Sequence, residues 1–299
     1  MPSGYSSDAI GGVLTPERVI PVLFQPLAAR SVVMAATPPE RVFDAEGGAP
    51  VRVPRIASIT LADAWRSENT LIAEVDPAYD ELLLLPTSLK SLKVLHRLSN
   101  ELARNSVGNV ETLIGDAFIA AVAREVDRAF LTGDGAGNTI TGLANESGIQ
   151  VVSAVGTPTV DDLFDAEQLL MAANGDPVTA AWFMAPRSFT SLRKARADGT
   201  TGAYLLQPDL SQPGRMTLLG HPVYVSTAIA TDAGAGTNES LILLVDMAQI
   251  AIGRDLEPRL DVLKETYGDW DQVALRIVAR MDIGALNAPA IVKLAGVLA

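Results

Sequence analysis

The sequence predicts an α+β fold, and three observations carry that prediction. Residues 49–58 and 79–99 alternate apolar and polar side chains, as exposed strands do. Residues 109–131 place apolar side chains at helical spacing along one long segment. Beyond residue 140, helical segments and apolar strand-like runs are mixed. With 299 residues, 48% hydrophobic and 19% charged, the chain can bury a substantial core as one large domain or two modest ones.

Residues 1–40 are rich in Pro, Ser, Gly and Ala and bury little surface by themselves. Within them "RVIPVLFQPLAARSVV" is apolar enough to need a partner surface, on another subunit or on the body of the fold. A loose terminus is the alternative. Residues 41–98 read as a long two-stranded excursion. The outgoing limb "APVRVPRIAS" (49–58) alternates through Val51, Val53 and Ile56, and a polar tip follows, "DAWRSENTLIAEVD" (63–76). The return limb is "YDELLLLPTSLKSLKVLHRLS" (79–99), and Pro54 and Pro86 suit edge strands, where a missing N–H costs little. A lone hairpin is marginal in water and must lean on something, which points to an interlocking structural protein.

The helix 109–131 has Asn109 as N-cap and Glu111 in its first turn. Val110, Leu113, Ile114, Ala117, Phe118, Ala121, Val122, Val126 and Phe130 make its apolar face, while Glu111, Asp116, Arg124, Glu125, Asp127 and Arg128 lie mostly off it. At 1.5 Å per residue it spans roughly 34 Å, and Gly133 supplies the stop. Downstream, 159–176 is a capped helix ended by Gly175, with Asp161 among the capping residues, and 179–186 is a buried strand. Residues 186–199 form a helix opened by Pro186 and closed by Gly199, and 200–220 is a long loop. Strands are expected in 221–230, 240–255, 258–268, 272–284 and 289–296.

Composition excludes several classes. The net charge is −12 and no short window is dominated by Lys and Arg, so strong direct binding to DNA is not expected. Cysteine is absent, which removes disulfides and thiolate metal sites, and His96 and His221 are the only imidazoles. The N-terminus lacks a signal-peptide pattern, and no apolar run approaches the roughly 18–20 residues of a membrane span. A soluble intracellular product is expected.

The stretch "AFLTGDGAGNTITGL" (129–143) holds four glycines, Gly133, Gly135, Gly137 and Gly142. A phosphate loop or a dinucleotide fingerprint opens a helix after a strand; here the glycines follow a helix, with no lysine between Lys93 and Lys194. Asp134 and Asn138 lack the spacing and the closing glutamate of a calcium loop. A hinge, where glycines let the chain reverse, is the reading the residues favour. Neither histidine sits in a ligand or triad pattern, and no Gly-x-Ser-x-Gly elbow occurs. Carboxylates such as those of "REVDR" (124–128) read as solvated faces with helical partners, Arg124–Asp127 among them. No catalytic, cofactor-binding or metal-binding residue is therefore assigned. Of the tryptophans, Trp182 is expected in the core. Trp65, at the excursion's tip beside Arg66, Glu68 and Asn69, is the natural anchor for a partner's pocket.

A polar-tipped arm, a long helix ending in "DRAFLTGDGAGNTITGL", the strand "AAWFMAP" and then "GAYLL…GRMTLLGHPVYVS" come in a characteristic order. In that order they resemble the major capsid proteins of tailed double-stranded DNA bacteriophages with the Hong Kong 97 fold, over nearly the whole chain. The resemblance implies an N-terminal arm (1–40), an extended β-hairpin loop (41–98), and a peripheral domain (99–144 and 256–299) with spine helix 109–131. It also implies an axial domain (145–255), with Gly133–Gly142 as the passage between the two. It implies a non-enzymatic subunit without cofactors that assembles with itself into pentamers and hexamers. These form an icosahedral head, built in the host bacterial cytoplasm, which encloses double-stranded DNA without gripping it and touches no membrane.

A portal, and scaffold or decoration proteins, are the further partners implied. Some relatives carry a long charged N-terminal scaffolding segment; none is seen here, so scaffolding is expected to be separate, dispensable or already removed. Covalent cross-linking through the extended loop is not expected, because residues 1–89 contain no lysine. An encapsulin-type compartment shell shares the fold and is the alternative; a soluble α/β enzyme without an identifiable site is the second.

Overall fold

The computed structural model describes residues 31–45, 49–58, 65, 67–70, 78–85, 91–101, 110–153, 155–195, 216–234, 236–263 and 265–298. The first thirty residues, Arg66, Asn109 and most of the loop 200–220 lie outside them. The chain order is α1 (Val32–Ala36), β1 (Val42–Asp44), β2 (Val51–Ser58), β3 (Ala78–Leu84), β4 (Leu92–Ser99) and α2 (Val110–Thr132). Then come β5 (Gln150–Val152), α3 (Val160–Ala172), β6 (Ala180–Met184), α4 (Pro186–Lys194), β7 (Thr217–Leu218) and β8 (His221–Val225). The chain closes with β9 (Glu239–Asp246), β10 (Ile250–Leu263), β11 (Gln272–Ala285) and β12 (Ile291–Leu298). Helices and strands are thus mixed along the chain, as the patterning predicts.

Three sheets result. The largest runs β5-β12-β9-β6-β8-β7, a second runs β1-β10-β11-β4, and β2-β3 stand apart as a two-stranded ribbon. Strand β6 shows why the large sheet sits in the middle of the molecule. All five of its residues are buried, and the two-residue period sends them to opposite sides. Trp182 and Met184 pack with Leu163 and Leu170 of α3 and Leu192 of α4. Ala181 and Phe183 face a separate cluster with Val126 and Phe130 of α2 and Ile277 and Ile283 of β11. A run apolar on both faces needs cover on both, and helices lie on one side while α2 and the second sheet lie on the other.

Local chemistry sets most boundaries. Thr159 caps α3, its hydroxyl accepting from the Asp162 amide while the Asp162 carboxylate accepts from the Thr159 amide. The capping acid is thus Asp162, not Asp161. The left-handed residue behind α3 is Asn174 (φ 57°), and Gly175 follows it. Helix α4 starts at Pro186 as predicted but ends at Lys194, because Ala195 is already extended; Gly199 is outside the described residues. The expected strand 240–255 is broken. The carboxylate of Asp246, fully buried, accepts from the amides of Asp176 and Ala248 at 3.0 Å and caps a short turn at Met247–Gln249. The chain then re-enters extended structure as β10, which continues through the predicted gap at 256–257.

Strand pairing also departs from the expected blocks. The return limb 79–99 divides: β3 pairs with β2, and β4 pairs antiparallel with β11. The C-terminal strand β12 leaves β11 and pairs with β9 and β5 in the large sheet. Residues 256–299 are therefore shared between two sheets. Burial explains it: Ile291, Val292, Leu294 and Val297 are fully buried, which a strand at the rim of the smaller sheet would not achieve.

Candidate functional site: a projecting hairpin and its anchorage

The ribbon β2–β3 is the expected hairpin, in antiparallel register from Val51↔Leu84 to Ser58↔Ala78. It carries cross-strand ion pairs on both faces, Arg52 with Glu81 on the outer one and Arg55 with Asp80 on the one turned to the body. Arg55 holds the Asp80 carboxyl below the usual carboxylate range, chiefly through their hydrogen bond. Solvent screening leaves exposed pairs of this kind little net stability, so the ribbon needs support from the body.

That support is built at its base. Leu84 and Leu85 are buried, and they cross the second sheet where β10 and β11 carry Gly253 and Gly284. A β-carbon on Gly284 would lie 2.8 Å from a methyl of Leu82, and one on Gly253 would lie 3.1 Å from the β-carbon of Leu84. Two missing side chains thus cut a notch into which the ribbon settles. Leu85 itself is left-handed (φ 53°), an unfavourable conformation for leucine. Its amide donates to Asp282 Oδ2 at 2.9 Å, and Arg55 Nη1 donates to the Ala285 carbonyl at 3.3 Å.

A cleft of about 240 Å³ adjoins this base, lined by Leu85, Ile140, Glu146 and Asp282 among others. Burial pushes the Glu146 carboxyl up; the nearby Arg55 charge opposes this and Asp282 adds to it. Among the described residues there is no group of three or more potential metal ligands.

At the far end, Trp65 is 99% exposed. Ser67 to Thr70 form a turn closed by the Thr70 amide on the Ser67 carbonyl at 3.3 Å, with Asn69 left-handed at φ 64°. Glu68 and Asn69 are exposed in it. An indole held wholly in water beside a closed turn has no role in this chain's own core.

The glycines 133–142 form a closed reversal behind α2. The Gly135 amide donates to the Ile140 carbonyl at 3.1 Å and the Gly142 amide to the Gly133 carbonyl at 2.9 Å. Asp134 Oδ1 accepts from the Ala136 amide at 3.0 Å and from the Thr139 hydroxyl. The four glycines differ in their reasons. Gly135 and Gly137 adopt φ of 70° and 56°. Gly133 and Gly142 pass so close to neighbouring backbone that a β-carbon would meet the Ala129 carbonyl in both cases.

Asp127 departs from expectation. Spacing places it on a solvated face paired with Arg124, yet it is fully buried. Its Oδ1 accepts from the Ser31 hydroxyl at 2.7 Å and the Val33 amide at 3.3 Å, and its Oδ2 from the Val32 amide at 3.0 Å. The carboxylate of α2 thus caps α1, which ties residues 31–36 to the long helix. Burial pushes this carboxyl up, against those three hydrogen bonds. The ion pair of the "REVDR" segment is instead Glu125 with Arg128. Sequence spacing holds no sign of this, because the capped helix lies more than ninety residues away.

The remaining polar candidates are structural. His221 is buried and bonds through Nε2 to Glu167 Oε1 at 2.7 Å. His96 lies 5.3 Å from the Phe118 ring, centroid to centroid. Trp182 is buried in the core, as expected. No helix among the described residues is long and apolar enough to cross a membrane. Among the described residues, the surface thus presents a ribbon pinned at its base and an exposed Trp65 beside a closed turn.

The model of the phage capsid family matches residues 11–296. The major capsid protein of Klebsiella oxytoca phage phiKO2 is 26% identical over 96% of this chain and 69% of its own length. Among solved structures, one from Microbacterium phage Oxtober96 superposes with a TM-score of 0.72 at 16% identity, covering 96% of this chain and 97% of that one. The capsid of an empty GTA particle, computed with C5 symmetry, superposes with a TM-score of 0.71 at 18% identity over the full length of both. These likenesses establish the fold as the Hong Kong 97-like capsid type, and the match of the family model over nearly all of its length shows that the chain belongs to the phage capsid family.

Proposed function

We propose that copies of this chain form the pentamers and hexamers of an icosahedral phage head, interlocked by the β2–β3 hairpin. The exposed Trp65, on a ribbon whose base is fixed in the Gly253–Gly284 notch, carries the reading. A tip held away from its own body meets a neighbour when copies are arranged head to tail, and head-to-tail contacts close into rings. Arg66, Glu68 and Asn69 flank the indole in the contact. The relative solved with C5 symmetry is consistent with rings of this kind.

In this arrangement β1-β10-β11-β4 with α2 forms the peripheral part and the large sheet with α3 and α4 forms the axial part. The glycine reversal 133–142 is the passage between them and the hinge through which one sequence meets five-fold and six-fold settings. The interlock is non-covalent, since residues 1–89 lack lysine. The net charge of −12 suits an inner wall that lets packaged double-stranded DNA move. The head forms in the host cytoplasm with a portal, and with scaffold or decoration proteins where these are used.

Deletion of residues 65–69 tests the interlock. The subunit is expected to remain folded by circular dichroism while electron micrographs lose closed shells. Normal shells from the deletion would refute it.

A further inference from the structure

Helix α1 has only five residues, and helices so short do not persist in water without outside support. One of its side chains, Val33, is fully buried; Val32, Met34 and Ala36 are half-buried and Ala35 is exposed. The half-buried apolar side chains lie against the main core cluster, and polar support converges on the first turn. The amides of Val32 and Val33 donate to Asp127, the Met34 amide donates to the Ser31 hydroxyl at 3.3 Å, and that hydroxyl donates to Asp127. All three donors at the start of α1 are thus satisfied by two side chains, one of which belongs to the long helix α2. The described hydrogen bonds of the Asp127 carboxylate all run to Ser31–Val33. If α1 left, that carboxylate would be rehydrated, and the deeply buried side chains given up would be Val33 and the capping Thr37.

We propose that Asp127 and α1 form a releasable clasp. The carboxylate on the long helix decides whether the chain is fastened at Ser31 or runs free as far as β1, where Val42 next pairs with the body. The chain N-terminal to Ser31 then has two points of departure from the same subunit, one at α1 and one about ten residues later. The fastened state is the one seen here. Release separates α1 from α2 and leaves the strand pairing of β1 to β10 through Val42, Phe43 and Asp44 in place. The clasp is a property of the single subunit and stands independently of how copies assemble.

Hydrogen exchange on the full-length unassembled chain tests it, with trypsin cleavage after Arg30 as a second readout. In Asp127→Ala, amides 32–36 are expected to exchange at least about tenfold faster, and the Arg30–Ser31 bond to be cut correspondingly faster. Amides of Ile242–Val245 in β9 should keep their wild-type rates. Ser31→Ala removes two bonds of the same cluster while leaving the carboxylate, and should shift 32–36 in the same direction by less. It also serves should the alanine variant at 127 fail to fold. Unchanged exchange at 32–36 in both variants would overturn the clasp. So would acceleration that appears equally at 242–245, since Asp127 would then be an ordinary core residue whose loss loosens the whole subunit.

Discussion

Gly253 of β10 lies directly under Leu84 of β3, so that a β-carbon on the glycine would stand 3.1 Å from that of the leucine. The contact fixes where the hairpin leaves the body, because Leu84 and the left-handed Leu85 are both buried there. Gly253→Leu is expected to lift the ribbon from its notch and to lower unfolding stability by about 1–3 kcal/mol, the usual cost of overpacking. Denaturant melts check the loss. Assembly should suffer more than stability, since the tip is displaced at the end of a long lever.

Trp65→Ala should behave oppositely. A residue 99% exposed contributes nothing to its own core, so stability should change by no more than about 0.5 kcal/mol. If the indole seats in a neighbour, shell yield should fall markedly. Melting curves and electron micrographs of one preparation separate the two effects.

The glycines of the reversal should form a graded series. Gly137 has φ 56°, and a β-carbon added there would meet nothing within 4 Å, so Gly137→Ala carries only the conformational cost of about 1 kcal/mol. Gly133→Ala drives a methyl into the carbonyls of Ile140 and Ala129 and should cost several times more or abolish soluble expression. Equal effects at both positions would contradict the close-packing role of Gly133.

Asp127 should make the docking of α1 depend on pH. Burial holds its carboxyl above the ordinary carboxylate value, so its ionisation opposes docking. The stabilisation is complete below the unfolded value and is lost as pH rises through the folded one. The nearby Glu125 is held below its ordinary value by Arg128 and titrates in the opposite sense, at lower pH. Protection of amides 32–36, corrected for intrinsic exchange, should therefore increase on mild acidification, and Asp127→Asn should remove the dependence. Protection that falls on mild acidification would contradict it.

Local patterns carried much of the fold. The helix predicted at 109–131 is found at Val110–Thr132, and the buried strand in 179–186 is Ala180–Met184. Both are decided by periodicity and by residues within one turn. The antiparallel hairpin and the exposure of Trp65 followed from alternation and polarity. What escaped was decided by distant partners. Asp127 looks solvated until α1 is brought to it from ninety-odd residues away, and β12 looks like a neighbour of β11 until its burial on β9 is seen. Gly253 and Gly284 form a notch only because leucines of a distant strand cross them.

The most direct test of shell building is to purify the full chain and measure its mass across a concentration series while imaging it by electron microscopy. Interlocking hairpins predict five- or six-membered rings, or closed shells of megadalton mass. A species that stays at the mass of one chain, 31.5 kDa, at every concentration and with its co-expressed partners present would contradict it.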